Sequence, residues 1–299
     1  MSSTNATFSS YSSEFILRTI TLTFGLVIFF FGIIGNLLNI IFFISLGSYK
    51  DNTCSFYVLV RSIFDFFILL LGLGTRILSQ HFQIDFTIRF SIWCKIRVPL
   101  IYINTLNSYA CLCFESIDTY LVTCLSLSMR EKSNIRLGRY LILFSICFWT
   151  IEEIPYVIFQ ERQLNINRNE YECLTKNPIY SQYRIYFIYL FSTTIIPILV
   201  LIGCHCLTFR NLRIRTKERR ILSLNIFTRQ MIKMTIANCL SVFIFQGPFA
   251  ISQCYFLSIT ITDSKQLYIQ QFFNILGYGV YAVRKEMNRT EQRVNFFVF

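Results

Sequence analysis

Residues 17–44 read LRTITLTFGLVIFFFGIIGNLLNIIFFI, a run of 28 residues whose single formal charge, Arg18, stands at its outer edge. A helix needs roughly 20 apolar residues to cross about 30 Å of hydrocarbon, so this run is long enough to span a bilayer. It shows no alternation of period two, and strands of a membrane barrel would come in segments of about 10 residues. The run is also too long for the core of a cleaved signal, and the Ser/Thr-rich segment Met1 to Ser13 lacks the positive charges that precede one.

Six further runs resemble it: Phe56 to Leu78, Pro99 to Leu127, Tyr140 to Phe159, Ile185 to Phe209, Met231 to Leu257 and Leu267 to Val283. Composition agrees. The chain of 299 residues is 54% hydrophobic and 15% charged, with a mean hydropathy of +0.51, whereas an average soluble chain is about 25% charged. The expected fold is an all-α membrane protein, a seven-transmembrane helix bundle. Its parts are an amino-terminal segment at 1–16, the bundle at 17–283 and a short tail at 284–299. The net charge of +12 sits in gaps between apolar runs, which argues for lipid and against nucleic acid as the partner.

Orientation follows from those gaps. Roughly 17 Lys and Arg residues fall on the side of the first, third and fifth loops and the tail, against roughly 10 on the other side. The tail is therefore expected in the cytoplasm and the amino terminus outside, where Asn5-Ala6-Thr7 is a usable glycosylation sequon. The densest basic stretch, Arg210 to Lys233, then faces the cytoplasm. No enzyme site assembles: His81 is read as a loop residue, His205 stands alone, and of the adjacent Glu152 and Glu153 at most one faces the bundle. Cys204-His205-Cys206 diverge by about 100° per residue on a helix and cannot converge on a metal unaided, and no cofactor is expected.

Individual polar residues carry more. Asn36 interrupts the first run, and Asp65 is the sole acidic residue between Phe56 and Leu78; both are costly in hydrocarbon unless they have partners, and each is the other's natural partner. Cys94 and Asp118 are 24 residues apart, about 36 Å along a helix, which places one at each membrane face. Together with Trp93, the stretch Glu115 to Tyr120, Trp149, Pro197 and Phe245-Gln246-Gly247-Pro248, these residues resemble a rhodopsin-like (class A) G protein-coupled receptor over about residues 20 to 280.

The resemblance implies a plasma-membrane, multi-pass receptor that passes an extracellular signal to a heterotrimeric G protein. It implies a disulfide between Cys94 and Cys173, and a polar core of Asn36, Asp65 and Asn274 holding water or sodium. Asp118-Thr119-Tyr120 would face the G protein, and Gln246, Pro248 and Pro197 would form the activation hinge. The departures are specific. Thr119 stands where the family has Arg, Gln246 where it has an aromatic toggle, His205 where it has Tyr, and Asn274-Ile275-Leu276-Gly277-Tyr278 lacks the usual proline. A receptor-like protein that does not couple to G proteins is therefore the alternative, with a transporter less favoured because no internal repeat is visible.

Ile101 occupies the position where amine receptors of the family carry Asp, and the seventh run has no Lys of the kind light receptors use. Ile101, Tyr102, Asn104, Tyr183 and Arg184 are the candidate pocket residues. Tyr and Arg beside a wet cavity suit a peptide, although the same residues would also serve as interfacial anchors. Invertebrate neuropeptide receptors of the FMRFamide type are the nearest resemblance.

Overall fold

The computed structural model of the chain describes residues 2–82, 90–165, 170–175, 177–217, 236–237, 240–252, 255 and 264–282. Seven long helical segments follow one another in these residues. The first is Ser2–Leu46. The second runs from Thr53–Ile68 through a π-helical stretch, Leu69–Gly74, into Thr75–Phe82; it takes in His81, which the sequence had suggested was a loop residue. The third is Ser91–Thr123 and the fourth Ile135–Phe159. The fifth joins Pro178–Tyr183, a π-helical Arg184–Ile195 and Ile196–Lys217. The sixth is described over Leu240–Ser252 and the seventh over Ser264–Ala282. The fold is an all-α seven-transmembrane bundle. The side chain of Asn5, the tail 284–299 and the basic stretch beyond Lys217 lie outside the described residues.

Local chemistry starts and stops these helices. Asn52 and Asn134 cap the second and fourth, accepting from the amides of Ser55 at 3.2 Å and Arg136 at 2.9 Å. Asn177 does the same for Ile179 and Tyr180 ahead of the fifth, with Pro178 in the first turn. Gly47, at φ 65°, makes the turn between the first and second helices in a conformation other residues avoid. At 19 residues the seventh helix is about 28 Å long and starts three residues before the expected Leu267. The third begins eight residues before Pro99, which sits inside it.

Among the described residues, four helices are long and apolar enough to cross a membrane by composition: Thr19–Leu46, Thr53–Ser79, Ile135–Phe159 and Pro178–Ile214. Their outer faces are apolar, with Phe31 at 72% exposure and Phe144 at 69%, as lipid contact requires. The third helix is more polar because it is central. It packs against the second, fourth and fifth helices and buries Asn107, Ser108, Glu115, Ser116, Asp118, Thr119 and Thr123. The seventh is held by close approaches. A β-carbon at Gly72 would stand 2.7 Å from the Tyr278 hydroxyl, one at Gly32 2.8 Å from Ala282, and one at Gly279 2.5 Å from the Phe245 ring. Small residues at helix contacts thus draw the first, second and sixth helices onto the seventh.

A hairpin lies between the fourth and fifth helices. Strand β1, Gln160–Asn165, pairs antiparallel with β2, Glu170–Thr175. Its open end is closed by the Thr175 hydroxyl donating to Gln160 Oε1 at 2.8 Å. Cys173 on β2 is bonded to Cys94 near the start of the third helix, with the α-carbons 5.9 Å apart. The pairing the resemblance implied is present. Breaking it with Cys173→Ser should cost roughly 2–4 kcal/mol of stability by freeing a long loop, read as a lower Tm of the full-length protein in lipid. Cys94→Ser on top of it should add little, because both substitutions remove one bond.

Candidate functional site

The outer half of the bundle encloses a cavity of about 380 Å³, a size suited to a small ligand or the end of a peptide. Its walls come from the second to seventh helices, Tyr156 being the fourth helix's contribution, and Thr175 of the hairpin reaches it from β2. Tyr102 and Ile101 line it, as does Arg184. The other two pocket candidates do not. Asn104 turns its amide back to the carbonyl of Leu100 at 2.6 Å, and Tyr183 faces away, donating to Glu152 and stacking between Tyr180 and Phe187. The rotation of the third and fifth helices places these two side chains outside the cavity wall.

Arg184 is the most constrained group in the wall. Its guanidinium lies 4.5 Å from the ring centroid of Tyr102 and 3.9 Å from that of Tyr156, a cation against two aromatic rings. Its Nη2 is 3.7 Å from Glu153 Oε2, and both side chains are at least nine-tenths buried. Of the Glu152-Glu153 pair, Glu153 therefore faces inward. Arg76 and Arg97 join Arg184 in lining the cavity, and Arg76 lies 5.9 Å from the ring of Tyr278. The sequence reading counted these two arginines only toward orientation. Their signal was position: each stands one or two turns inside an outer helix end rather than in a loop.

Gln246 lines the same cavity and its Nε2 is 3.5 Å from Thr194 Oγ1, tying the sixth helix to the fifth. Asn274 also lines it. Asn36, by contrast, donates its amide to the carbonyls of Gly32 and Tyr281, both at 2.8 Å, so it joins the first helix to the backbone of the seventh. Pro197 is buried and Pro248 half-buried, each within its helix.

Below the cavity runs a second polar system. Asp65 accepts from the Ser108 hydroxyl, and Arg61 Nε lies 3.7 Å from its Oδ2. Arg61 Nη1 also donates to Glu115 Oε2 at 3.4 Å. All three charged side chains are almost fully buried. One turn further in, Thr119 donates to the backbone carbonyl of Glu115 at 2.8 Å. Asp118 accepts from Ser133 at 2.6 Å, from the segment that leads to the fourth helix. Arg61 on the second helix is thus a second buried cation of the bundle, in addition to Arg184 of the cavity wall. Sequence reading names Glu115 as part of the stretch ending at Tyr120 and gives Arg61 no role, because the two charges lie in separate runs and only the packing brings them together.

A buried ion pair costs far more to break than to replace. Arg61 faces two carboxylates, so Arg61→Met should lower stability by roughly 3–5 kcal/mol by removing the cation that both Asp65 and Glu115 meet. Adding Asp65→Asn and Glu115→Gln should recover at least half of that loss, read as Tm of the two proteins in the same lipid.

A search of curated proteins finds no match to the chain. The family described as 7 transmembrane receptor (rhodopsin family) matches residues 35–282, a stretch that takes in Asn36, the Arg61 cluster, the Cys94–Cys173 bond and every residue lining the outer cavity. With that extent of match and this bundle, the chain belongs to the rhodopsin family of seven-transmembrane receptors.

Proposed function

We propose that this receptor binds an extracellular peptide, of the neuropeptide kind, in the outer cavity and couples only weakly to a heterotrimeric G protein at the plasma membrane. The observation that carries the first half is the cavity itself, whose tyrosines, arginines and Gln246 offer both apolar rings and hydrogen-bond donors. A ligand that prefers one arrangement of the helices shifts the population by its differential affinity. Pro248 and Pro197 are the proposed hinge residues, since a helical proline leaves a carbonyl without its hydrogen bond and permits a bend. Asn36, Asp65 and Asn274 remain the proposed polar relay, now with Arg61 supplying the cation beside Asp65.

The second half rests on the inner end of the third helix. Thr119 is buried and its hydroxyl is used by its own helix, and Asp118 is held by Ser133. Neither offers a long cationic arm to a partner. The same arrangement favours a second reading, a receptor-like protein that binds ligand without engaging a G protein.

Substituting Thr119→Arg distinguishes them. Basal nucleotide exchange on a panel of G proteins should be weak in the native chain and rise several-fold in the variant. Strong exchange by the native chain would sink the proposal of weak coupling, while silence from both forms would favour the uncoupled reading. The topology is tested separately. A tag at the amino terminus should stain intact cells, and Asn5→Gln should remove an enzyme-sensitive glycan; staining only after permeabilisation would refute the orientation.

A further inference from the structure

We propose that the outer cavity recognises its ligand through a negatively charged group, a carboxylate held by the Arg184 and Arg76 guanidiniums. The inference rests on the reading that this cavity is the ligand site, and it names the chemistry the site accepts. Three arginines, Arg76, Arg97 and Arg184, line the cavity, and no Asp or Glu is among its described lining residues. Glu153 stands behind the wall and meets Arg184 alone, on Nη2. The other terminal nitrogen of Arg184, Nη1, is buried and has no hydrogen-bond partner among the described residues. The side chain itself is 6% exposed.

A buried donor on a charged group left without a partner is costly, and the cost is relieved when a ligand oxygen arrives. The rings of Tyr102 and Tyr156 both lie against the guanidinium, so it is held in place before binding and little entropy is lost in using it. A guanidinium N–H donating to a carboxylate is a charge-assisted hydrogen bond, roughly twice as strong as a neutral one. Arg76, half-buried over Tyr278, supplies a second positive charge on the opposite helix. A ligand bringing its own cation would meet these charges unscreened in a low-dielectric hollow and be rejected. That disfavours a peptide ending in an amidated Arg-Phe and favours one with a free carboxyl end. A small carboxylic acid would offer the same oxyanion.

The full-length receptor in lipid nanodiscs, melted in the presence of three probes, tests this. The probes are a hexapeptide pool with free carboxyl ends, the same pool with amidated ends, and a set of aromatic carboxylic acids. The free-acid pool should raise Tm and its amidated twin should not. Arg76→Gln, at a half-buried position, should weaken the active probe about 10- to 100-fold; Arg184→Gln should do the same where it folds. A shift from the small acids but no peptide would uphold the carboxylate site and sink the peptide reading. Equal shifts from both peptide pools, or an Arg76→Gln variant that binds like the parent, would overturn the carboxylate site while leaving the peptide reading intact. No shift from either kind of acid overturns it as well.

Discussion

Hydrocarbon offers no hydrogen bonds, and the third helix carries too many polar side chains to touch it. Asn107, Ser108, Glu115, Asp118 and Thr119 must all find partners within the protein. They find them on three sides: Ser145 of the fourth helix donates to Asn107 at 2.7 Å, Ser108 donates to Asp65 of the second, and Ser133 donates to Asp118. The other helices are arranged around this need, each turning its polar residues inward and its large apolar ones to lipid. The outer cavity sits against the outer half of the third helix, from Arg97 to Tyr109, where tyrosines and arginines make up much of the wall.

The bundle was legible from apolar run length alone, since membrane thickness imposes one ruler on every span. The Cys94–Cys173 bond was legible only through resemblance, and its hairpin was not, because two polar strands of six residues each carry little period-two signal. Boundaries slipped where helices run beyond the membrane, as at Ser91 and Lys217. The site was half visible. Tyr102 and Arg184 stand out as polar residues near a helix end, but which neighbours face the same hollow depends on helix rotation, which fixed Asn104 and Tyr183 outside it. Asn36 and Asp65 were natural partners by chemistry, yet Asn36 found the seventh-helix backbone and Asp65 found Ser108 and Arg61.

The placement of Arg61 matters for how such a bundle could move. With Arg61 bridging Asp65 and Glu115, the second and third helices are linked by charge deep in the core, whereas Thr119 and Asp118 at the inner end of the third helix meet a backbone carbonyl and a serine hydroxyl. Rigidity is therefore concentrated between the second and third helices. The sixth, tied to the fifth near the cavity by Gln246 at the weak distance of 3.5 Å, has less to break on leaving its neighbours.

The π-helical stretches stand beside two arginines of the site. Leu69–Gly74 ends two residues before Arg76, and Arg184–Ile195 begins with Arg184 itself. A π turn holds one residue more than an α turn, so each stretch takes up its extra residue within its own turns and leaves the α-helix on either side in nearly the same register. Arg76 and Arg184 are thus each carried beside turns wider than the rest of their helix, while the regular segments above and below keep their inward faces.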